Sequence, residues 1–472
     1  MGSRRYALRL EMAVHLAQSR AAQRLAATIS AALLSGGASA CYRPPEPMPL
    51  HTAAQRGDVA VLESRLASGD DLGARDARGR TPLDLAAAGG HIEAVALLMS
   101  AGAPEAAESP LYAASRSGHS QLTEWLLARG ADPARGVAGG WTPLHGAAAA
   151  GQAETAGLLL EAGADPEART AGAWTPLYLA AREGQVDVAK LLLEAGADPN
   201  RAVRGGWRPL HGAVEAGSVP IVELLAAREV VLEVTSDDGV TPLHTAARSG
   251  NTELARNLIE HGADLRARTA SGASPLHAGA GAGHLELVGF LVEQSAPLDA
   301  TDSEGATPLL RAALASEWEI VELLLDRGAE AGTSGPMQWR TPTALHAAAF
   351  SGSTQAVALL LAHAAPPCPQ NHQKMTPLHQ VALLGHTEAA RELVDAGASL
   401  DETNVHGATP LLLAAQNGHT ELVALLLARG ANAGIREVGG STPLDAARRH
   451  EHEDVARLLR EHAAPRGRPP AS

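Results

Sequence analysis

The residues of this 472-residue chain that could do chemistry are its twenty histidines, two cysteines and six tryptophans, and their spacing limits what that chemistry is. Seven histidines follow Pro-Leu or its equivalent: His51, His145, His211, His244, His277, His346 and His379. Five follow a glycine: His91, His119, His284, His386 and His419. Imidazole is the commonest metal ligand, and His450-Glu451-His452-Glu453-Asp454 is the densest local cluster. Its histidines are two residues apart, not four, so they do not share a helical face as in the zinc-protease pattern. The cluster reads as a charged, solvated cap. Gly279-Ala280-Gly281-Ala282-Gly283 resembles a phosphate loop only in composition, because no strand precedes it. Cys368 lies in a proline-rich stretch, open to oxidation, with no base beside it to generate a thiolate. No P-loop, nucleophile elbow or kinase signature occurs. No catalytic residue, metal or cofactor is therefore assigned.

The tryptophans are more telling. Trp141 (GGWTPLH), Trp174 (GAWTPLY) and Trp207 (GGWRPLH) each stand two residues before a proline, 33 residues apart. That interval runs through the whole chain. The leucines of the same phrase are Leu50, Leu83, Leu111, Leu144, Leu177, Leu210, Leu243, Leu276, Leu309, Leu345, Leu378, Leu411 and Leu444, and ten of their twelve gaps are 33. Internal periodicity of this length marks an array of repeats, here thirteen units over residues 48–464.

One unit, Thr175–Asn200, shows the logic. Thr175 can cap exposed N–H groups, and Pro176 suits a first helical turn that needs no N–H. Leu177, Ala180 and Ala181 share one face, and the small alanines let a neighbouring helix approach. Gly184 ends this short helix and Gly196 ends a second one carrying Val186, Val188, Ala189, Leu191, Leu192 and Leu193. A lone unit cannot bury both helices, whereas stacked units can. The array is one elongated domain of about 100–130 Å at 8–10 Å per packed helix.

With TPLH, a following Ala-Ala, a Gly-His pair and LLLxxGAD at a 33-residue period, the chain resembles the ankyrin repeat family; Trp141–Asp165 and Ala408–Asn432 match it well. The resemblance implies an all-α solenoid of helix–turn–helix units joined by β-hairpin-like fingers. It implies a concave groove lined by fingers and first helices, and a protein as the partner. It places Trp141, Trp174 and Trp207 at finger bases facing that groove, where exposed tryptophan is a favoured binding anchor; the competing reading is packing against each other and the finger glycines. Arg182, Glu183 and Glu215 would line the same groove, with Phe350 and Trp318 in or near comparable turns. Trp125, where Val or Leu is usual, reads as core. The resemblance also gives the twelve periodic histidines a hydrogen-bonding role within and between repeats.

Departures from the period divide the array. The gap before Leu111 is 28, so the connection Ala101–Pro110 is short of a finger; the gap before Leu345 is 36, and Gly332–Ala344 carries three extra residues. One repeat later, Ala364–Lys374 replaces the usual Gly-Ala-Asp. The expected organisation is repeats one to nine over 48–331, an irregular loop over 332–344, and repeats ten to thirteen over 345–464. Repeats one and thirteen are more charged, as caps must be. Residues 465–472, rich in Pro and Arg, have the composition of a disordered tail.

Residues 1–47 precede the repeats. Five arginines, an apolar stretch Leu25–Leu34 and small residues before Cys41 follow the plan of a secretory signal. Cysteine directly after Ala38-Ser39-Ala40 resembles a bacterial lipoprotein signal, in which Cys41 would be lipidated. An Arg-rich, nearly acid-free segment equally fits a mitochondrial presequence, or a plain lead-in. Localisation stays open between secreted or lipid-anchored, organellar and cytoplasmic.

Composition narrows function. With formal charge −14 the chain is a poor candidate for nucleic-acid binding, and any membrane association would run through Cys41. About 55 residues lie outside the repeats, too few for a catalytic domain. The expectation is a monomeric, non-catalytic scaffold binding a partner protein along the groove. The alternative is a secreted or membrane-anchored inhibitor that blocks a partner enzyme.

Overall fold

The computed structural model describes residues 49–104, 109–228, 230–332 and 342–463. Cys41 with the rest of the leader, residues 105–108 of the shortened connection before Leu111, most of the 332–344 loop and the tail lie outside the described residues.

Among the described residues, thirteen helix pairs run from Pro49–Arg56 with Val59–Ala67 to Pro443–Arg449 with Glu453–Ala463. In repeat five the Thr175 side chain accepts the Tyr178 N–H, and the helix Pro176–Arg182 follows. Gly184, at φ +73°, turns the chain into Val186–Glu194. First helices pack on first helices of adjacent repeats and second on second, giving an inner and an outer row. Leu177, Ala180, Ala181, Ala189 and Leu192 are wholly buried, within one core cluster running from Leu50 to Leu459. Each such leucine contributes about 1.5–3 kcal/mol relative to exposure.

The Pro-Leu histidines wire one repeat to the next. Thr142 N–H donates to His145 Nδ1, the Thr142 hydroxyl lies 2.7 Å from the same nitrogen, and Nε2 lies 3.0 Å from the Trp174 carbonyl in the next finger. An N–H aimed at Nδ1 makes it an acceptor, so Nε2–H is the donor and the ring is neutral. His211, His244, His277, His346 and His379 make the same contact to a carbonyl 29 residues on, at 2.9–3.1 Å, and His51 reaches the Ala74 carbonyl at 3.0 Å. Burial depresses the affinity of the first six for a second proton, taking His211, His346 and His379 to about 4.

The turn histidines work backwards. His91, His119, His284 and His419 bond Gln55, Ala88, Arg248 and Leu383 carbonyls at the end of the preceding inner helix. His452 does the same to Gln416, at 3.1 Å. This corrects the reading of the His450–Asp454 cluster: His452 is a structural turn residue. Among the described residues no group of three metal-ligating side chains converges.

The fingers are turns, with one isolated bridge, Val137 to Trp141, among the described residues. They are tied to each other. Ala171 N–H donates to Gly139 O, Asp237 to Gly205, Ala270 to Asp238, Ser303 to Ser271, Val405 to Gln373 and Val438 to His406, all at 2.7–3.0 Å. A second set joins finger starts. Side chains of Glu167, Asn200, Glu233, Asp299 and Asp401 accept the N–H 31 residues on.

That second set lapses where a proline stands at the donor position, first at Arg266 facing Pro297 and again around repeat ten. Its next position after Asp299 is Gly332, which has no acceptor, and the facing residue is Pro366, which has no N–H. A Cβ on Gly332 would sit 2.8 Å from the proline ring, so packing replaces the bond. One repeat later the acceptor is the Cys368 sulfur, 3.1 Å from Ser399 N. Cys368 is a half-buried free thiol packed against the core, not an open one.

Candidate functional site: the groove between fingers and inner helices

The sites of interest occupy recurring columns of the repeat. Trp141, Trp174 and Trp207 stand where each finger meets its inner helix, and all three are half-buried. A Cβ on Gly139, Gly172 or Gly205 would lie 3.4, 3.6 or 3.2 Å from the indole two residues on, so each ring rests over its own finger. Trp141 and Trp174 meet edge to face, centroids 5.9 Å apart at 89°. Trp141 also meets its own His145, at 6.0 Å, as Trp207 meets His211, at 5.1 Å. Packing and exposure therefore coexist: the finger holds one side of each ring and leaves part of it open.

Arg182, Glu183 and Glu215 are exposed at the ends of adjacent inner helices, as expected for groove residues. The Arg182 guanidinium stands over the Trp174 ring, 5.7 Å from its centroid. Beneath lies Tyr178, whose hydroxyl is held above its usual proton affinity by burial first and the Glu215 carboxylate second, with Arg182 opposing. Phe350 occupies the Arg182 column of repeat ten and is 64% exposed. Trp318 does not join them. It opens the outer helix Trp318–Asp326 and packs against the core. Trp125 is half-buried on the outer row with Arg129 stacked 3.8 Å above it. Gly279 is inside the inner helix Pro275–Ala282, where a Cβ would meet Leu287 at 2.9 Å; its glycine serves close packing, not a phosphate.

Sequence reasoning missed part of the groove. Tyr112, Arg116 and Trp141, with Gly146, Ala149 and Ala150, line a hollow of about 390 Å³ between repeats three and four. Arg116 is in the Arg182 column, so aligning that column across repeats is the signal that finds it. The same alignment finds Leu314 and Leu383, exposed in repeats nine and eleven.

The arrangement offers aromatic edges, guanidinium groups and carboxylates on a rigid frame. Among the described residues no helix is long and apolar enough to cross a membrane. A family model described as "Ankyrin repeats (3 copies)" matches in seven overlapping spans, from residues 20–108 to 396–466. Among solved structures, the crystal structure of the human ASB11 ankyrin repeat domain is 28% identical. It covers 48% of this chain and 100% of its own, with a TM-score of 0.43. With the family match running over nearly the whole array, this chain belongs to the ankyrin repeat family, whose repeats are general protein–protein interaction modules.

Proposed function

We propose that this protein is a non-catalytic scaffold that holds a partner protein in the groove between fingers and inner helices, with repeats three to six as the principal reader. The observation that carries this is the row of three half-buried indoles beside exposed Arg116, Arg182 and Glu215. Tryptophan and arginine are the residues that dominate interface energetics, and anchors pre-fixed by their own scaffold lose little entropy on binding. Here the fingers hold the indoles and the inner helices hold the charges, so a partner meets a preformed surface.

The test is a quantitative pull-down from source-cell lysate with the full chain and a Trp141/Trp174/Trp207→Ala variant as baits, both checked by circular dichroism. The proposal expects a specific partner that the variant no longer recovers. Identical recovery by both folded baits would reject the tryptophan row as the reader.

A further inference from the structure

The column that reads Arg116, Ala149, Arg182, Glu215 and Arg248 in repeats three to seven changes character farther along. It becomes Gly281, Leu314, Phe350, Leu383 and Gln416 in repeats eight to twelve, and the residues that follow are Ala282, Ala315, Ser351, Leu384 and Asn417. No charge occurs at either position across five repeats. Leu314 is 51% exposed, Phe350 64%, Leu383 37% and Leu384 39%. Three consecutive inner helices, Pro308–Leu314, Ala344–Ser351 and Pro377–Leu384, thus present leucine, phenylalanine and leucine at their ends in one row.

Nothing in the fold needs this. The sister repeats place arginine or glutamate in the same position on the same helix, so apolar side chains there are not required for stacking. The nearest cation on these helices is already matched: Arg311 donates to Asp302 at 2.5 Å and to Glu304 at 2.8 Å. Among the described residues of these three helices, covering the row therefore desolvates no unpaired charge, which is the main cost of burying a polar surface.

We infer that this row is a second docking site of the groove, and that its occupant is a short amphipathic segment of a partner protein presenting uncharged, apolar side chains on one side. The inference rests on the reading of the groove as the partner-binding face and adds a subsite of opposite chemistry. Two arguments select the occupant. First, complementarity: a charged segment suits Arg182, Glu215 and Arg248, whereas the uncharged row rewards only apolar contact. Second, size: the row exposes a few hundred Å² at most, within what monomers carry as functional patches. A second copy of the chain would need about 800 Å² on each side for a stable interface. Inner helices ~8–10 Å apart ask for one anchor per repeat. A helix supplies one every second turn, at about 10.5 Å, and a polyproline II segment one every third residue, at about 9.3 Å.

The probe is a phage-displayed random peptide library panned on the immobilised full-length protein. Selected peptides are synthesised and their affinity measured by fluorescence anisotropy on wild type, Phe350→Arg and Trp174→Ala. Arginine at 350 is what repeats five and seven carry in that column, so the variant keeps the fold. Expected are peptides with regularly spaced apolar residues and few charges, weakened at least tenfold by Phe350→Arg and less than twofold by Trp174→Ala. Peptides lost with Trp174→Ala but indifferent to Phe350→Arg would overturn the second site and leave the central one standing. Charge-rich peptides at the Phe350 site would overturn the assigned occupant. If no selected peptide depends on either residue, both the subsite and the groove reading fail.

Discussion

Trp141 and Trp174, one repeat apart in sequence, meet edge to face with centroids 5.9 Å apart, whereas Trp207, one repeat further, has only its own His211 as an aromatic neighbour among the described residues, the counterpart of the His145 that Trp141 also meets. The three residues look equivalent as letters in a repeat. In space two of them form a unit and the third stands apart.

This difference is measurable as coupling. An edge-to-face pair contributes about 0.5–1.5 kcal/mol beyond its area. A double-mutant cycle of Trp141→Ala with Trp174→Ala, followed by urea unfolding in the far ultraviolet, should show coupling in that range. The Trp174→Ala and Trp207→Ala cycle should be additive within ~0.5 kcal/mol. Equal coupling in both cycles would contradict the packing described.

Acid should loosen the array through its buried histidines. Burial holds six of them below the ordinary value, with His211, His346 and His379 at about 4. Folded imidazoles stay neutral while unfolded ones take up protons below about 6.5. The unfolded state then binds more protons, so stability falls as pH drops from about 6.5 to about 4, by up to ~1.4 kcal/mol per pH unit for each histidine. Asp84, in the histidine column of repeat two, is pushed upward by burial and opposes the trend there alone. Melting temperature should be flat above pH 7 and drop steeply below 6.5. A flat profile down to pH 4.5 would contradict neutral, buried imidazoles.

Ser316 sits at φ +62° in the turn between the helices of repeat nine, where Gly184 serves in repeat five. A left-handed conformation costs a non-glycine residue about 1–2 kcal/mol, partly offset by the entropy glycine loses on folding. Ser316→Gly should therefore stabilise the protein by ~1 kcal/mol in urea unfolding. A loss of stability would mean that the serine side chain does something the turn needs.

The array should open first between residues 330 and 376. Two consecutive ties are altered here, whereas the lapse at Arg266 and Pro297 is single: Gly332 and Pro366 cannot form the finger-start hydrogen bond, the tie that follows relies on the Cys368 sulfur, and Ala364 and Lys374 are held at φ +60° and +55°. In a solenoid, stability is a sum of repeat and nearest-neighbour terms, so weak neighbour coupling localises opening. Limited proteolysis should give its first cut inside that window. A first cut within repeats four to eight would refute the joint.

The repeat unit was legible because every unit solves the same burial problem with the same letters: threonine, proline, leucine, paired alanines, glycine. The tryptophan row and the Arg182–Glu215 column were legible for the same reason. His452 was not, because the usual turn glycine is replaced by Glu451, which takes the left-handed conformation itself at φ +61°. Trp318 misled because its nearness to a turn says nothing about which helix it starts. Phe350 was singled out near its turn, but Leu314 and Leu383 on either side of it escaped a reading that weighed apolar letters as core. Aligning them with Arg182 and Glu215 was the signal that could have found them, since all stand five residues after the repeat leucine.

The central claim is that the partner lies against fingers and inner helices. The most direct measurement is hydrogen–deuterium exchange of the full-length protein alone and with the partner recovered by pull-down. The account predicts protection in the finger and inner-helix segments, 138–150, 171–183 and 204–216. Protection confined to outer helices such as Val186–Glu194 and Val219–Ala226, with the tryptophan fingers unchanged, would contradict it.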